Sequence, residues 1–144
     1  MTEQPAPLTF QVAIDCREPH VLADWWAEAL RWEVEPQDED FIRSMIEQGH
    51  ATDDDTDTHR GKLVWRTGAA VVPPEGTTAP RLYFQQVPEA KVAKNRMHLD
   101  LRTTDVETER QRLLDLGATE LWSGQQGPHT WVTLADPEGN ELCI

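Results

Sequence analysis

Basic side chains are scarce in this chain. Lysine and arginine number 13 against 26 aspartates and glutamates, for a formal net charge of −13. That sign repels phosphate backbones and excludes nucleic acid as a partner. Long apolar runs are missing too, and none approaches the roughly 20 residues of a membrane span. The opening stretch, Met1 to Pro7, is polar and proline-rich, which is not the character of a signal peptide. Cysteine is limited to Cys16 and Cys143, so no disulfide framework is encoded. Both sit in apolar, strand-like runs and read as buried thiols of a cytoplasmic protein. The chain has neither a Gly-x-Ser-x-Gly elbow nor a glycine-rich phosphate loop.

What is present can build a core. Hydrophobic residues make up 38% of 144 positions, enough for one domain or two small repeated units. Six tryptophans stand out: Trp25, Trp26, Trp32, Trp65, Trp122 and Trp131. They read as packing residues, with one or two available to line an apolar ligand pocket. Asp53, Asp55 and Asp57 alternate like the start of a calcium loop, but Thr58 takes the place of the turn glycine. Val64 stands where the bidentate glutamate belongs. Residues Ala51 to Gly61 therefore read as a solvated acidic loop.

Leu8 to Cys16 reads as a strand. Pro19 opens a helix that carries Leu22, Trp25, Trp26, Ala29 and Leu30 at three- and four-residue spacing to about Arg31. Trp32 to Glu35 starts a strand, and Asp38 to Gln48 is helical with Gly49 as its stop. Lys62 to Arg66, Ala69 to Val72 and Arg81 to Val87 are strands. A polar connector, Pro88 to Arg96, then leads into the strand Met97 to Arg102. Asp105 or Thr104 caps a helix from Val106 to Leu116, ended by Gly117. Glu120 to Ser123, Thr130 to Ala135 and Asn140 to Ile144 complete the strands.

The order repeats. With Gln11 set against His98, Glu18 and Asp105 both lie seven residues on, each at a helix start. Two βαβββ modules result, at residues 7–90 with an inserted helix about 38–48, and at residues 95–144. The expected fold is α+β, one 1–144 domain whose paired modules enclose a cleft.

The final hairpin shows where polar groups can face that cleft. Asp136-Pro137-Glu138-Gly139-Asn140 is built to turn, and Glu141 begins the last strand. Alternation puts Glu141 and Cys143 on one face, Leu142 and Ile144 on the other. His98 and Asp100 share a face in the same way.

Asn95-Arg96-Met97-His98-Leu99-Asp100 and Asp136 to Glu141, with Asp15-Cys16 before Pro19, Trp25-Trp26, Pro80-Arg81 and Val87-Pro88-Glu89, resemble the vicinal oxygen chelate superfamily. That superfamily contains glyoxalase I, bleomycin-resistance proteins and extradiol dioxygenases, and the likeness is strongest to glyoxalase-like proteins common in actinobacteria. The resemblance covers nearly the whole chain. It implies four cleft-facing metal ligands, carried over as Gln11, Gln85, His98 and Glu141, for a divalent cation such as Zn, Ni, Fe or Mn. Glu141 would then be a ligand or a catalytic base. The chain departs from the glyoxalase I pattern at Leu82-Tyr83-Phe84-Gln85-Gln86, where no carboxylate stands.

Without a metal, His98 reads as an imidazole paired to Asp100 or Arg96, and Glu141 as the satisfied partner of a nearby cation. His129, in a hairpin loop, reads as a surface residue. Two functions stay open at this level. One is a metal-dependent lyase, isomerase or dioxygenase-type enzyme acting on a small oxygenated substrate. The other is a metal-free, drug-sequestering protein for a cationic or aromatic small molecule. The resemblance implies a homodimer in either case.

Overall fold

The structure, a computed structural model, describes residues 2–144; Met1, at the head of the proline-rich opening stretch, lies outside them. Strand β1 (Val12–Cys16) begins four residues later than the apolar run from Leu8. Leu8 and Phe10 stand exposed outside the sheet, so the run lacks the pairing that would make it strand. Helix α1 (Pro19–Leu30) follows, with Pro19 in the first turn, where its missing N–H leaves nothing unpaired. Leu22, Ala23, Trp26 and Ala29 recur at helical spacing and are buried. After β2 (Glu33–Val34) comes α2 (Glu39–Glu47), capped by Asp38, whose carboxylate accepts from the Phe41 N–H at 3.0 Å.

The acidic stretch departs from the loop expected of it. Asp53–Asp55 form a short 3-10 turn, and β3 (Thr56–His59) pairs antiparallel with β4 (Lys62–Trp65). Arg60 and Gly61 turn this hairpin with φ of 51° and 77°, two successive left-handed residues as a tight twisted turn requires. Arg-Gly is a weaker signal for that turn than Asn-Gly, and the alternation of Thr56, Asp57, Thr58 and His59 is polar. The insert is tied back by Gln37, whose Oε1 accepts from Trp65 N at 2.7 Å and whose Nε2 donates to Gly68 O at 2.9 Å.

β5 (Gly68–Val72) and β6 (Leu82–Gln86) complete a sheet of order β1-β6-β5-β2, with β1 and β6 parallel and the other pairs antiparallel. The second half runs β7 (Leu99–Asp100), α3 (Val106–Asp115), β8 (Thr119–Gln126), β9 (His129–Ala135) and β10 (Glu141–Cys143). Its sheet order is β7-β10-β9-β8, with β7 and β10 parallel. Strand for strand the two sheets share one plan, an α+β fold.

One continuous core spans both sheets. Leu22, Trp26, Val71, Leu82 and Phe84 meet Leu113, Leu134, Leu142 and Ile144 in it. The helices are tied directly: Arg112 donates to the carbonyls of Ala29 at 2.6 Å and Glu28 at 3.2 Å, and Trp25 Nε1 donates to Leu116 O at 2.9 Å. Arg112 thereby satisfies the Ala29 carbonyl that the last turn of α1 leaves open and adds to the Arg31 N–H on Glu28 O. Edge strands β1 and β7 are left flanking a cleft. Among the described residues no helix is long and apolar enough to cross a membrane.

Candidate functional site

The cleft has a volume of about 1340 Å³. It is lined by β1 and its flanks, by the connector after β6, by the approach to β7 and by the turn before β10. Gln11, Gln85, His98 and Glu141 all line it, so one space holds the four side chains that the resemblance implies as ligands.

Glu141 is the best-held of them, at 7% exposure. Lys91 Nζ donates to its Oε1 at 3.0 Å, and the Asn95 backbone N–H donates to its Oε2 at 3.1 Å. Asn95 is itself steadied by a 3.1 Å bond from its Nδ2 to Asn140 Oδ1. Burial pushes the Glu141 carboxyl up, but the Lys91 ammonium and the Asn95 N–H outweigh it and leave the group below its ordinary 4.5. The result is an ionised carboxylate neutralised from within the chain. A general base works best with a pKa near the working pH, and Glu141 is instead held in its ionised form by a cation and a backbone N–H.

Gln11 is also engaged, its Oε1 accepting from Arg81 Nη1 at 2.8 Å. Arg81 is gripped on its other side by both Glu35 oxygens, at 2.7 and 2.8 Å. The parallel register explains the contact. Val12 pairs with Leu82, which puts Arg81 beside Gln11; Leu99 pairs with Leu142, which puts Glu141 beside His98. The first-half counterpart of Glu141 is therefore a cation, Arg81, and not Gln85. Gln85 pairs with Asp15, four residues along β1 from Gln11, or roughly 13 Å at 3.3 Å per residue. It lines the cleft but stands at the other end of the strand from Gln11.

His98 lies beside Asp100, Nε2 to Oδ1 at 3.3 Å. Cys143, opposite Asp100 in the β7–β10 pair, brings a third ligand-type atom, and the three lie within 4.8 Å of one another. Lys91 and Asn95 lie in stretches that carry the resemblance, but nothing in the sequence marks them as partners of Glu141, which they reach from a connector about fifty positions away. Cys143 was legible only as the residue sharing a strand face with Glu141.

The turn before β10 fixes the site to the core. Asp136 is buried, and its carboxylate accepts from Trp26 Nε1 at 2.9 Å, Glu138 N at 2.9 Å and Asn140 N at 3.0 Å. Burial pushes its carboxyl up, against the pull of those donors. Glu138 reaches across and accepts from the backbone N–H of Glu18 at 3.0 Å and of Arg17, just before α1. Cys16, buried beneath this turn, is pushed up to about 12 by burial and by the carboxylates of Glu138, Asp136 and Asp15. It remains a thiol and offers no nucleophile.

A divalent cation held as the superfamily resemblance implies would need Gln11, His98 and Glu141 to aim free lone pairs at one point. The residues do not fit that group. Arg81 holds Gln11, Lys91 and Asn95 hold Glu141, and two cations border the position.

Comparison with known proteins agrees with the architecture. The family model described as a glyoxalase-like domain matches residues 11–144. Among solved structures, a glyoxalase/bleomycin resistance protein/dioxygenase family enzyme from Burkholderia phytofirmans PsJN superposes with TM-score 0.58 at 14% identity, covering 93% of this chain and 94% of that one. The bleomycin-binding protein of Streptomyces verticillus, complexed with copper(II)-bleomycin, gives 0.56 at 13% identity, covering 97% and 96%. The fosfomycin resistance protein FosX of Mesorhizobium loti gives 0.56 at 9% identity, covering 99% and 90%. At such identities the likeness shows the fold alone. No curated protein matches the chain. A family model spanning all but the first ten residues, over two sheets of like order around one cleft, places this chain in the glyoxalase-like domain family of the vicinal oxygen chelate superfamily.

Proposed function

We propose that this chain binds a bulky organic cation, in the manner of the drug-sequestering members of its superfamily, without a metal at Glu141. The observation that carries the reading is the Lys91–Glu141 pair, which supplies internally the positive charge a family-type metal would bring. Two further features support it. A volume of about 1340 Å³ exceeds the roughly 300–1,000 Å³ of ordinary small-ligand sites, which suits a multi-ring ligand better than a small oxygenated substrate. The lining offers five carboxylates, Asp15, Glu18, Glu89, Glu138 and Glu141, against the cations Arg17, Lys91 and Arg96. A net charge of −13 adds long-range attraction for a cation. Apolar walls from Val12, Ile14, Val87 and Met97 would take the body of the ligand.

Trp26 lines the cleft and reports on its contents. Titration with a panel of cationic aromatic compounds should quench tryptophan fluorescence saturably, and a chelator should leave the response unchanged. A flat response across the panel, together with Ni, Zn, Mn or Fe binding that Glu141→Gln abolishes, would replace this reading with the metal-dependent enzyme. The homodimer belongs to the same reading, since Phe10 and Met97, 76% and 87% exposed, lie beside the open edges of β1 and β7. Light scattering at micromolar concentration checks it.

A further inference from the structure

His98 has neighbours better suited to a cation than Glu141. Its Nε2 stands 3.3 Å from Asp100 Oδ1, and with Cys143 Sγ the ligand atoms all lie within 4.8 Å of one another. Strand pairing builds this triangle. Cys143 is opposite Asp100 in the parallel β7–β10 register, and alternation puts His98 and Asp100 on the face that Glu141 and Cys143 share. In a tetrahedral site with bonds near 2.0–2.3 Å the donor atoms stand roughly 3.3–3.8 Å apart, so small side-chain rotations close the triangle to size. Thr133 Oγ1 lies 3.3 Å from Cys143 Sγ and can donate to a thiolate there. Asp100 and His98 keep 71% and 35% of their side chains exposed, which opens one side of the triangle to solvent.

We propose that His98, Asp100 and Cys143 bind a zinc-like divalent cation, with a fourth position open to water. A thiolate with an imidazole selects a borderline-soft ion such as zinc or cobalt over magnesium or calcium. The site goes beyond the ligand-binding reading and does not rest on it, since neither Glu141 nor Lys91 takes part. Thr133 is a positioning residue in it.

Cobalt(II) added to the full reduced chain tests the site. The expected result is one equivalent bound, with a thiolate-to-cobalt charge-transfer band that zinc displaces. Cys143→Ser and His98→Ala should abolish the band, and Thr133→Val should weaken binding by about tenfold, as loss of an outer-shell partner does. Cys143 is buried, so circular dichroism of its variant accompanies the titration. Asp100→Asn, at an exposed position, supplies an independent loss of affinity of at least about tenfold. Cobalt binding without a charge-transfer band overturns the proposal. So does a band that survives Cys143→Ser, or binding that Glu141→Gln removes while Asp100→Asn leaves it intact. None of these readouts involves the fluorescence panel, so failure here leaves the organic-ligand reading standing.

Discussion

Glu141 decides what the cleft can do, because both of its oxygens are spoken for. Its folded-state pKa lies below the ordinary 4.5, so the contribution it makes to stability is complete above that value and fades as pH falls through the folded pKa. Urea unfolding of the wild type and Glu141→Gln should therefore differ most at neutral pH, with the gap narrowing below pH 4.5. A gap that stays constant down to acid denaturation would show that the charge is unimportant there. Asp136 carries the opposite sign. Its folded pKa is raised by burial, so between the ordinary 3.8 and that raised value the folded state keeps a proton the unfolded chain has lost. Stability from this group falls as pH rises through that window. Trp26→Phe removes the indole donor from Asp136 Oδ2. Oδ2 keeps a 3.3 Å bond from Asn140 Nδ2, so loss of the indole bond should cost about 1 kcal/mol, read from the urea midpoint.

Helix ends and a close contact of glycine with an aromatic ring set the next level. Asp38 satisfies a free N–H at the start of α2, and Asp38→Ala should cost about 1 kcal/mol by thermal unfolding. Arg112 supplies α1 with a C-terminal cation from another helix, a link that helical spacing within α1 could not reveal. On β8, Gly124 lies under the Trp131 ring of the paired strand: a Cβ there would come within 2.2 Å of it. Gly124→Ala should displace Trp131 and shift the near-ultraviolet circular dichroism, while Gly127→Ala, strained by its φ of 56° but with open space around it, should lower stability without displacing the ring. Element types were legible wherever apolar periodicity was strong, as in α1. They were not legible in β3, whose polar residues are strand only because Lys62–Trp65 pairs with them.

At the scale of the molecule, the turn from Asp136 to Asn140 joins one sheet to the helix over the other. Trp26 bonds Asp136, and Glu138 bonds the backbone ahead of α1. Glu138→Ala should lower stability by about 1 kcal/mol, since the contact is partly exposed, and should also weaken ligand binding by loosening a wall of the cleft. Unchanged affinity in a destabilised Glu138→Ala protein would separate the joint from the binding surface.

By itself the sequence determined the α+β fold and its repeated order, because hydrophobic period and turn chemistry are local properties. The family resemblance it carries implied Gln11, Gln85, His98 and Glu141 as cleft-facing. Only the tertiary structure decided what those side chains touch. Arg81 beside Gln11 follows from strand register, and Lys91 beside Glu141 follows from the path of a connector. Cys143 beside Asp100 follows from the pairing of β7 with β10. Charge neutralisation and ligand grouping act through space over a few ångströms, and residues 43 to 70 positions apart carry no mark of that nearness in their order.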